Sequence, residues 1–144
     1  MRRALVLAAA QFAAAIPLGT LSANPAQDYT LYCMGCHGTE AQGVAGKIPP
    51  LAGSLGRFMR TPEGRNYVLR VPGAANSALP DGALAAVLNW LAERYPAPEA
   101  TPVTPFTTEE VASARHTPLV NVQAKRREVI ESLAATGPVP PAQY

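Results

Sequence analysis

The five residues Cys33-Met34-Gly35-Cys36-His37 constrain this chain more than any other stretch, because they contain both of its cysteines and one of its two histidines. Two thiols three positions apart lie about one turn apart on a helix, so both can face one edge of a flat ring system. A histidine that follows at once can place its imidazole over the ring plane and bind a central iron. The C-x-x-C-H spacing therefore predicts covalent attachment of one haem c through Cys33 and Cys36, with His37 as the proximal iron ligand.

Three other uses of these residues fit the sequence less well. A structural disulfide between Cys33 and Cys36 leaves His37 without a role. A thioredoxin-like redox pair requires a βαβ context, and no strand pattern surrounds the motif. A structural zinc site normally takes four ligands, and the set formed with distant His116 has the spacing of no common zinc finger.

The first 23 residues have the pattern of a secretory signal peptide. Arg2 and Arg3 form a basic start, residues 4–16 are almost entirely apolar, and Leu21-Ser22-Ala23 offers a small-residue cleavage site. The apolar run is shorter than the roughly 20 residues of a membrane-spanning helix, so we expect no stable membrane insertion, and an uncleaved anchor is the alternative. We predict export to the bacterial periplasm, where free thiols tend to oxidise and thioethers to haem do not.

The charge pattern gives no sign of a nucleic-acid partner. Removing Arg2 and Arg3 from the 12 basic residues leaves 10, which equals the 10 acidic residues. Between positions 47 and 70, however, five residues are basic and one is acidic. The basic ones are Lys47, Arg57, Arg60, Arg65 and Arg70. They form either a basic face that steers an acidic redox partner or ordinary surface with arginines that pair with haem propionates.

Fifteen prolines and few aromatic residues predict an all-α chain of short helices. Asn24-Pro25 starts a first helix that runs through Tyr29 into Cys33. Thr61-Pro62 starts a second helix, which Pro72-Gly73 ends, and Asp81 is expected to cap a third. The apolar residues of the third helix fall at helical spacing and are expected to lie in the core. They are Leu84, Val87, Leu88 and Leu91.

In this order the features resemble a class I c-type cytochrome. The resemblance covers residues 24 to about 95 and rests on the haem motif, on Pro49-Pro50-Leu51-Ala52-Gly53 and on the closing helix from Asp81 to Tyr95. It implies the class I fold wrapped around one covalently bound haem. Pro49 lies 12 residues after His37 (49 minus 37), where the family places a proline whose carbonyl accepts the histidine N–H. Carried over, Pro49 would orient His37.

One position departs from the family. Members usually place a methionine before a proline in the loop that precedes the last helix, whereas this chain has Leu79-Pro80, and leucine cannot bind iron. Met59, His116 and Asn76 are the candidate sixth ligands, and the remaining alternative is a five-coordinate or water-capped iron beside Leu79. A six-coordinate iron favours electron transfer, whereas an open one can bind a small gas or peroxide.

The resemblance does not extend past the closing helix. Residues 96–106 are predicted to be a proline-rich linker and residues 107–144 a helical C-terminal extension. Thr107 and Glu110 form a capping box, and Thr117-Pro118 is expected to cap a further helix whose charged residues, Arg126 included, face solvent. The apolar side of that helix is Leu119, Val122, Val129, Ile130 and Leu133. The extension either packs back on the rest of the chain or docks a partner.

These features predict a periplasmic monohaem cytochrome, with its haem-binding domain at residues 24–95, that carries single electrons between redox donor and acceptor proteins. No catalytic acid, base or nucleophile constellation stands out, so we do not expect an enzyme. Two alternatives remain open. The first is a five-coordinate haem c protein that binds or senses a small gas. The second is an electron-transfer subunit of a periplasmic dehydrogenase, with the extension as its docking arm.

Overall fold

The structure is a computed structural model that describes residues 24–99 and 102–141. The predicted signal peptide, residues 1–23, lies outside the described residues. Within them the chain is all-α, with one isolated β-bridge between Val44 and Ile48 and no strand. The helices of this part are α1 (Pro25–Tyr32), α2 (Met34–His37), α3 (Leu55–Phe58), α4 (Pro62–Arg70), α5 (Pro72–Ala75), α6 (Asp81–Arg94), α7 (Thr108–Ala114) and α8 (Val122–Ala134).

Three predicted helix starts are confirmed by their caps. The Asn24 side-chain oxygen accepts hydrogen bonds from the backbone N–H groups of the first turn of α1, at 3.2 and 3.4 Å. The hydroxyl of Thr61 accepts from the Gly64 N–H at 3.1 Å, and that of Thr107 accepts from the Glu110 N–H at 3.1 Å. Each cap satisfies N–H groups that have no partner within the helix itself.

The predicted cap at Asp81 is wrong by one position. Pro80, with extended backbone angles, occupies the capping position of α6, and Asp81 is the first residue of the helix. The Asp81 carboxylate instead forms an ion pair with Nε of Arg115, at 2.9 Å. A long-range partner therefore takes the carboxylate that the local sequence assigned to the helix end.

The helix start predicted at Thr117-Pro118 is also wrong. Helix α8 begins four residues later, and Asn121 caps it by accepting the Ala124 N–H at 3.0 Å. The preceding segment runs beside the end of α4, where the Thr117 carbonyl accepts from Nε of Arg70 at 2.7 Å and the Leu119 N–H donates to the Arg70 carbonyl at 2.8 Å. These contacts hold the segment beside α4.

The core is formed by α1, α4 and α6 together with the C-terminal helices. The four α6 residues predicted to lie in the core are all buried, which confirms that prediction. Helix α1 packs on α6, α7 packs on α6 and α4, and α8 packs on α4. Residues 102–141 contribute buried side chains of their own to this core: Phe106, Val111, Val129, Ile130 and Leu133. Residues 102–141 are therefore packed on the first part of the chain.

Arginine side chains join the two parts. Arg57 donates to the Val139 carbonyl at 3.4 Å and also forms an ion pair with Glu99 at 2.6 Å, and Arg65 forms an ion pair with Glu110 at 2.5 Å. Arg60 donates to the Pro138 carbonyl, and Arg70 to that of Thr117. Four of the five basic residues predicted to steer a partner or to bind propionates therefore hold the C-terminal part of the chain.

Arg126 was expected to face solvent, and that expectation is wrong. Its side chain is buried, lies over the Phe58 ring at 5.0 Å from the centroid, and donates to the Pro141 carbonyl at 2.9 Å. A buried guanidinium is tolerated when hydrogen bonds and an aromatic face replace its water. Among residues 24–99 and 102–141, no helix has the length and apolar character needed to cross a membrane.

Candidate functional site

The C-x-x-C-H motif lies at the junction of α1 and α2. The Cys33 N–H donates to the Tyr29 carbonyl at 2.9 Å and so closes α1, and the Cys33 carbonyl accepts the His37 N–H at 3.0 Å. Cys33 is partly buried, Cys36 is exposed, and neither is in a disulfide. Burial raises the pKa of the Cys33 thiol. The motif thus presents two free thiols on one helical turn, as its spacing predicts.

The His37 imidazole is oriented by the backbone of the proline-rich loop. Its Nδ1 lies 3.0 Å from the Pro49 carbonyl oxygen, the contact that the sequence predicts. Burial lowers the pKa of His37, although the hydrogen bond to Pro49 partly opposes this shift, so the neutral ring is favoured. A neutral ring whose Nδ1–H donates to a carbonyl keeps a lone pair on Nε2. His37 is therefore prepared to bind a metal through Nε2.

The position of the Pro49 carbonyl depends on residues to which the sequence assigned no role. The Gly43 N–H donates to the His37 carbonyl at 2.8 Å, and the Ala41 carbonyl accepts from Leu51 at 2.8 Å and from Ala52 at 3.0 Å. Gly43 has φ 69°, and a Cβ there would overlap the backbone of Ile48 and Pro49. Only glycine fits this turn. The glycines in this loop were the sequence signal for a tight turn. The hydrogen bonds that close the loop, however, join residues that are not neighbours in the sequence.

The residues present fit a covalently bound haem. Two free thiols and a neutral imidazole with an available Nε2 supply the attachment and ligation chemistry. Beside them Leu31, Tyr32 and Val44 leave apolar side chains 47–66% exposed. Exposed apolar surface next to a chemically distinctive motif is typical of a ligand site, and a large, flat, apolar ring system matches it.

The candidate sixth ligands are scattered. Met59 is 2% exposed and lines a cavity of about 310 Å³ between α3, α6 and residues 96–97 and 102–105, together with Ala92 and Val103. The described lining of that cavity includes none of residues 33–37. Asn76 and His116 are exposed. Leu79 is 3% exposed, and its carbonyl accepts from Arg115 at 2.8 Å.

No family model matches this chain, but two proteins are similar to it. Both are called cytochrome c-552 and come from Thermus thermophilus. The first is 32% identical over 135 aligned residues, which cover 78% of this chain and 91% of that protein. The second is 32% identical over 118 residues, which cover 67% of this chain and 90% of that protein.

The similarity reaches further along the chain than the motifs. A share of 78% of 144 residues is about 112 residues, which exceeds the 95 that end with the closing helix. The aligned region therefore continues past Tyr95, beyond the motifs that carry the resemblance. At least part of the extension is shared with that relative.

Proposed function

This chain belongs to the class I c-type cytochromes, and on that premise we propose that it is a periplasmic monohaem cytochrome that carries single electrons between redox proteins. The observation that carries the proposal is the 3.0 Å contact between Nδ1 of His37 and the Pro49 carbonyl. This contact leaves Nε2 available for iron in the ring orientation that a proximal ligand needs.

Each residue of the motif has a distinct role in this proposal. Cys33 and Cys36 would hold the haem through thioether bonds, and His37 would bind its iron on the proximal side. The bound haem would supply a one-electron ferric–ferrous couple. The Pro49 carbonyl would hold the orientation of the His37 ring while this couple works. The chain acts as a carrier and not as an enzyme.

The cellular setting belongs to the same proposal. A signal peptide at residues 1–23 would export the chain to the periplasm, where donor and acceptor proteins would meet it. Residues 24–95 would bind the haem, with 96–106 as linker and 107–144 as extension. The buried side chains and arginine contacts of the extension support a role in stabilising the cytochrome. They give no support to a docking arm for a dehydrogenase.

Leu79 favours a second candidate function. A buried aliphatic side chain stands where the family usually places the sulfur ligand, and Leu79 cannot bind iron. An iron with an open sixth position would bind carbon monoxide or another small gas. The chain would then be a haem c protein that takes up a small gas and not a carrier.

The test is to produce the full chain in bacteria that attach haem to exported proteins. We expect periplasmic recovery, one covalent haem by mass spectrometry, and a reversible one-electron reduction. Cys36→Ala should lose one thioether, and Met34→Ala, inside the motif, should keep both. A chain without haem would contradict the proposal. Rapid binding of carbon monoxide by the ferrous protein would favour the second candidate instead.

A further inference from the structure

The Tyr29 phenol is buried beside the turn that follows the C-x-x-C-H motif. Tyr29 is 2% exposed and packs on Trp90, with the two ring centroids 5.7 Å apart. Its hydroxyl donates to the Gly38 carbonyl at 2.5 Å, and the Ala41 N–H donates to the same carbonyl at 3.2 Å. Two donors, one from α1 and one from the turn, thus meet at the residue that follows His37.

Ala41 is held in a conformation that an alanine rarely adopts. Of the non-glycine residues at 24–99 and 102–141, Ala41 alone has a positive φ, 54°. This left-handed conformation costs free energy when a Cβ is present, and it persists only where the surrounding contacts enforce it. Burial raises the pKa of the Tyr29 phenol to about 12, and the nearby Ala41 backbone partly opposes this rise. The phenol is therefore one of the contacts that enforce the turn.

The Ala41 carbonyl connects this turn to the loop that orients His37. It accepts from the Leu51 N–H at 2.8 Å. The ring of Pro50, one position earlier, fixes its own φ, so a Leu51 that is held in place limits how far the Pro49 carbonyl can turn. That carbonyl lies 3.0 Å from Nδ1 of His37. A path of contacts thus leads from the buried phenol to the proposed iron ligand.

We propose that Tyr29 is a positioning residue for His37. Its phenol holds Ala41 in the left-handed conformation, and the carbonyl of that residue then keeps Pro49 against the imidazole. The inference rests on the proposed function, because its consequence is the reduction potential of a haem bound at the motif. A carbonyl that accepts the Nδ1–H raises the basicity of the ligand. A more basic imidazole favours the ferric state, so the contact lowers the potential.

The test measures the reduction potential of the haem-loaded protein in a double-mutant cycle. Tyr29→Phe keeps the ring on Trp90 but removes the hydroxyl. Ala41→Gly removes the Cβ, and since glycine adopts a positive φ without strain, the turn no longer needs the phenol. Nuclear magnetic resonance of the reduced protein gives a second readout, the rate at which the His37 Nδ1–H exchanges with solvent.

Two controls separate this role from a general effect on the fold. Tyr32→Phe removes an exposed phenol that is next to Cys33 but lies outside the path. Val129→Ala truncates a buried side chain of α8, which packs on α4, and so lowers stability away from the path. Neither control should change the potential or the exchange rate.

We expect Tyr29→Phe to shift the potential to more positive values and to speed the His37 exchange several-fold. In the Ala41→Gly background the same change should alter neither. If Tyr29→Phe does not fold by itself, the double variant should fold with the potential of Ala41→Gly, because the strain has been removed.

A haem-loaded, reversibly reducible Tyr29→Phe protein with the wild-type potential and exchange rate overturns the positioning role alone. An equal shift in both backgrounds also overturns it, and so does a double variant that fails to fold where Tyr29→Phe has failed. A chain without haem overturns the proposed function and the positioning role with it.

Discussion

The contact between His37 and the Pro49 carbonyl sets the orientation of the proposed iron ligand. The carbonyl fixes the tautomer and the plane of the imidazole, so only Nε2 remains for a metal. The Pro49 carbonyl is itself held in place by a tight turn of the backbone that only glycine at position 43 permits. The ligand itself is specified by the motif, but its orientation is specified by residues up to 12 positions away.

Met59 is expected to act in packing and not as an iron ligand, because it lines a cavity beside residues 96–97 and 102–105. Met59→Ala should lower the free energy of unfolding by about 2–5 kcal/mol and leave the visible absorption spectrum unchanged. Met59→Leu should cost less than about 1.5 kcal/mol. Denaturant unfolding and optical spectra of both variants measure this. A high-spin spectrum in both variants would instead identify Met59 as the sixth ligand.

The ion pair between Arg57 and Glu99 should make stability depend on acid pH. The hydrogen bond from Arg57 holds the pKa of Glu99 below its ordinary value of 4.5. A carboxylate with a depressed folded-state pKa stabilises the fold above its unfolded pKa, and this stability is lost as the pH falls through the folded pKa.

Glu99→Gln should therefore unfold at a lower temperature than the wild type at pH 7. The difference should disappear well below pH 4.5, where the wild-type carboxylate is also neutral. Arg57→Gln should show the same pattern, because it removes the other half of the pair. Thermal unfolding at several pH values measures both. A difference that persists in acid would show that Glu99 acts through packing alone.

At the scale of helices, the end of the linker and the extension together complete the core of the cytochrome. The side-chain amide of Asn89 on α6 forms two hydrogen bonds with the backbone of Phe106. It donates to the Phe106 carbonyl at 3.0 Å and accepts from the Phe106 N–H at 2.7 Å. The Phe106 ring is buried and lies beneath the Arg65 guanidinium, 4.3 Å from its centroid. Helices α7 and α8 then cover α4 and α6.

Truncation after Tyr95 should severely destabilise the protein. Burial of each apolar side chain of the extension stabilises the fold by about 1.5–3 kcal/mol. A whole domain has a net stability of only about 5–15 kcal/mol. A shorter truncation after Pro141 keeps α7, α8 and the carbonyls of Pro138 and Pro141 that bind arginines, and serves as the control. We expect haem-loaded, folded protein from the control and little from the longer truncation, measured by periplasmic yield and thermal unfolding. Equal stability of the two would show that the extension is dispensable.

At the scale of the molecule, most of the basic residues between positions 47 and 70 bind other parts of the chain, whereas the sequence alone indicated a basic face. Arg57, Arg60, Arg65 and Arg70 all bind carboxylates or carbonyls between positions 99 and 138. Lys47 remains as the exposed basic residue of that stretch. The exported chain would also be near neutral. Long-range electrostatic attraction of an acidic partner is therefore weak.

We expect electron exchange with small charged reagents to depend little on salt. The rate of reduction by an anionic reagent and by a cationic one should each change only slightly as ionic strength rises, because a charged face is needed for strong steering. Stopped-flow kinetics of the haem-loaded protein measure both rates, and Lys47→Gln should alter neither strongly. Steep slopes of opposite sign for the two reagents would reveal a charged docking face.

The sequence by itself determined the local features of this protein. The haem motif, the caps at Asn24, Thr61 and Thr107, and the buried stripe of α6 depend on neighbours within a few residues, so they could be predicted. The Pro49 contact was also predictable, since the family spacing stands in the sequence.

Only the tertiary structure decided which partners the charged residues take. Asp81 pairs with Arg115 across 34 positions (115 minus 81), and Arg126 is buried over Phe58. The arginines between positions 57 and 70 bind the extension. A guanidinium has five donors on a long side chain and accepts any carboxylate or carbonyl that folding brings near. Its partner is therefore set by the packing of α7 and α8 and not by its local sequence.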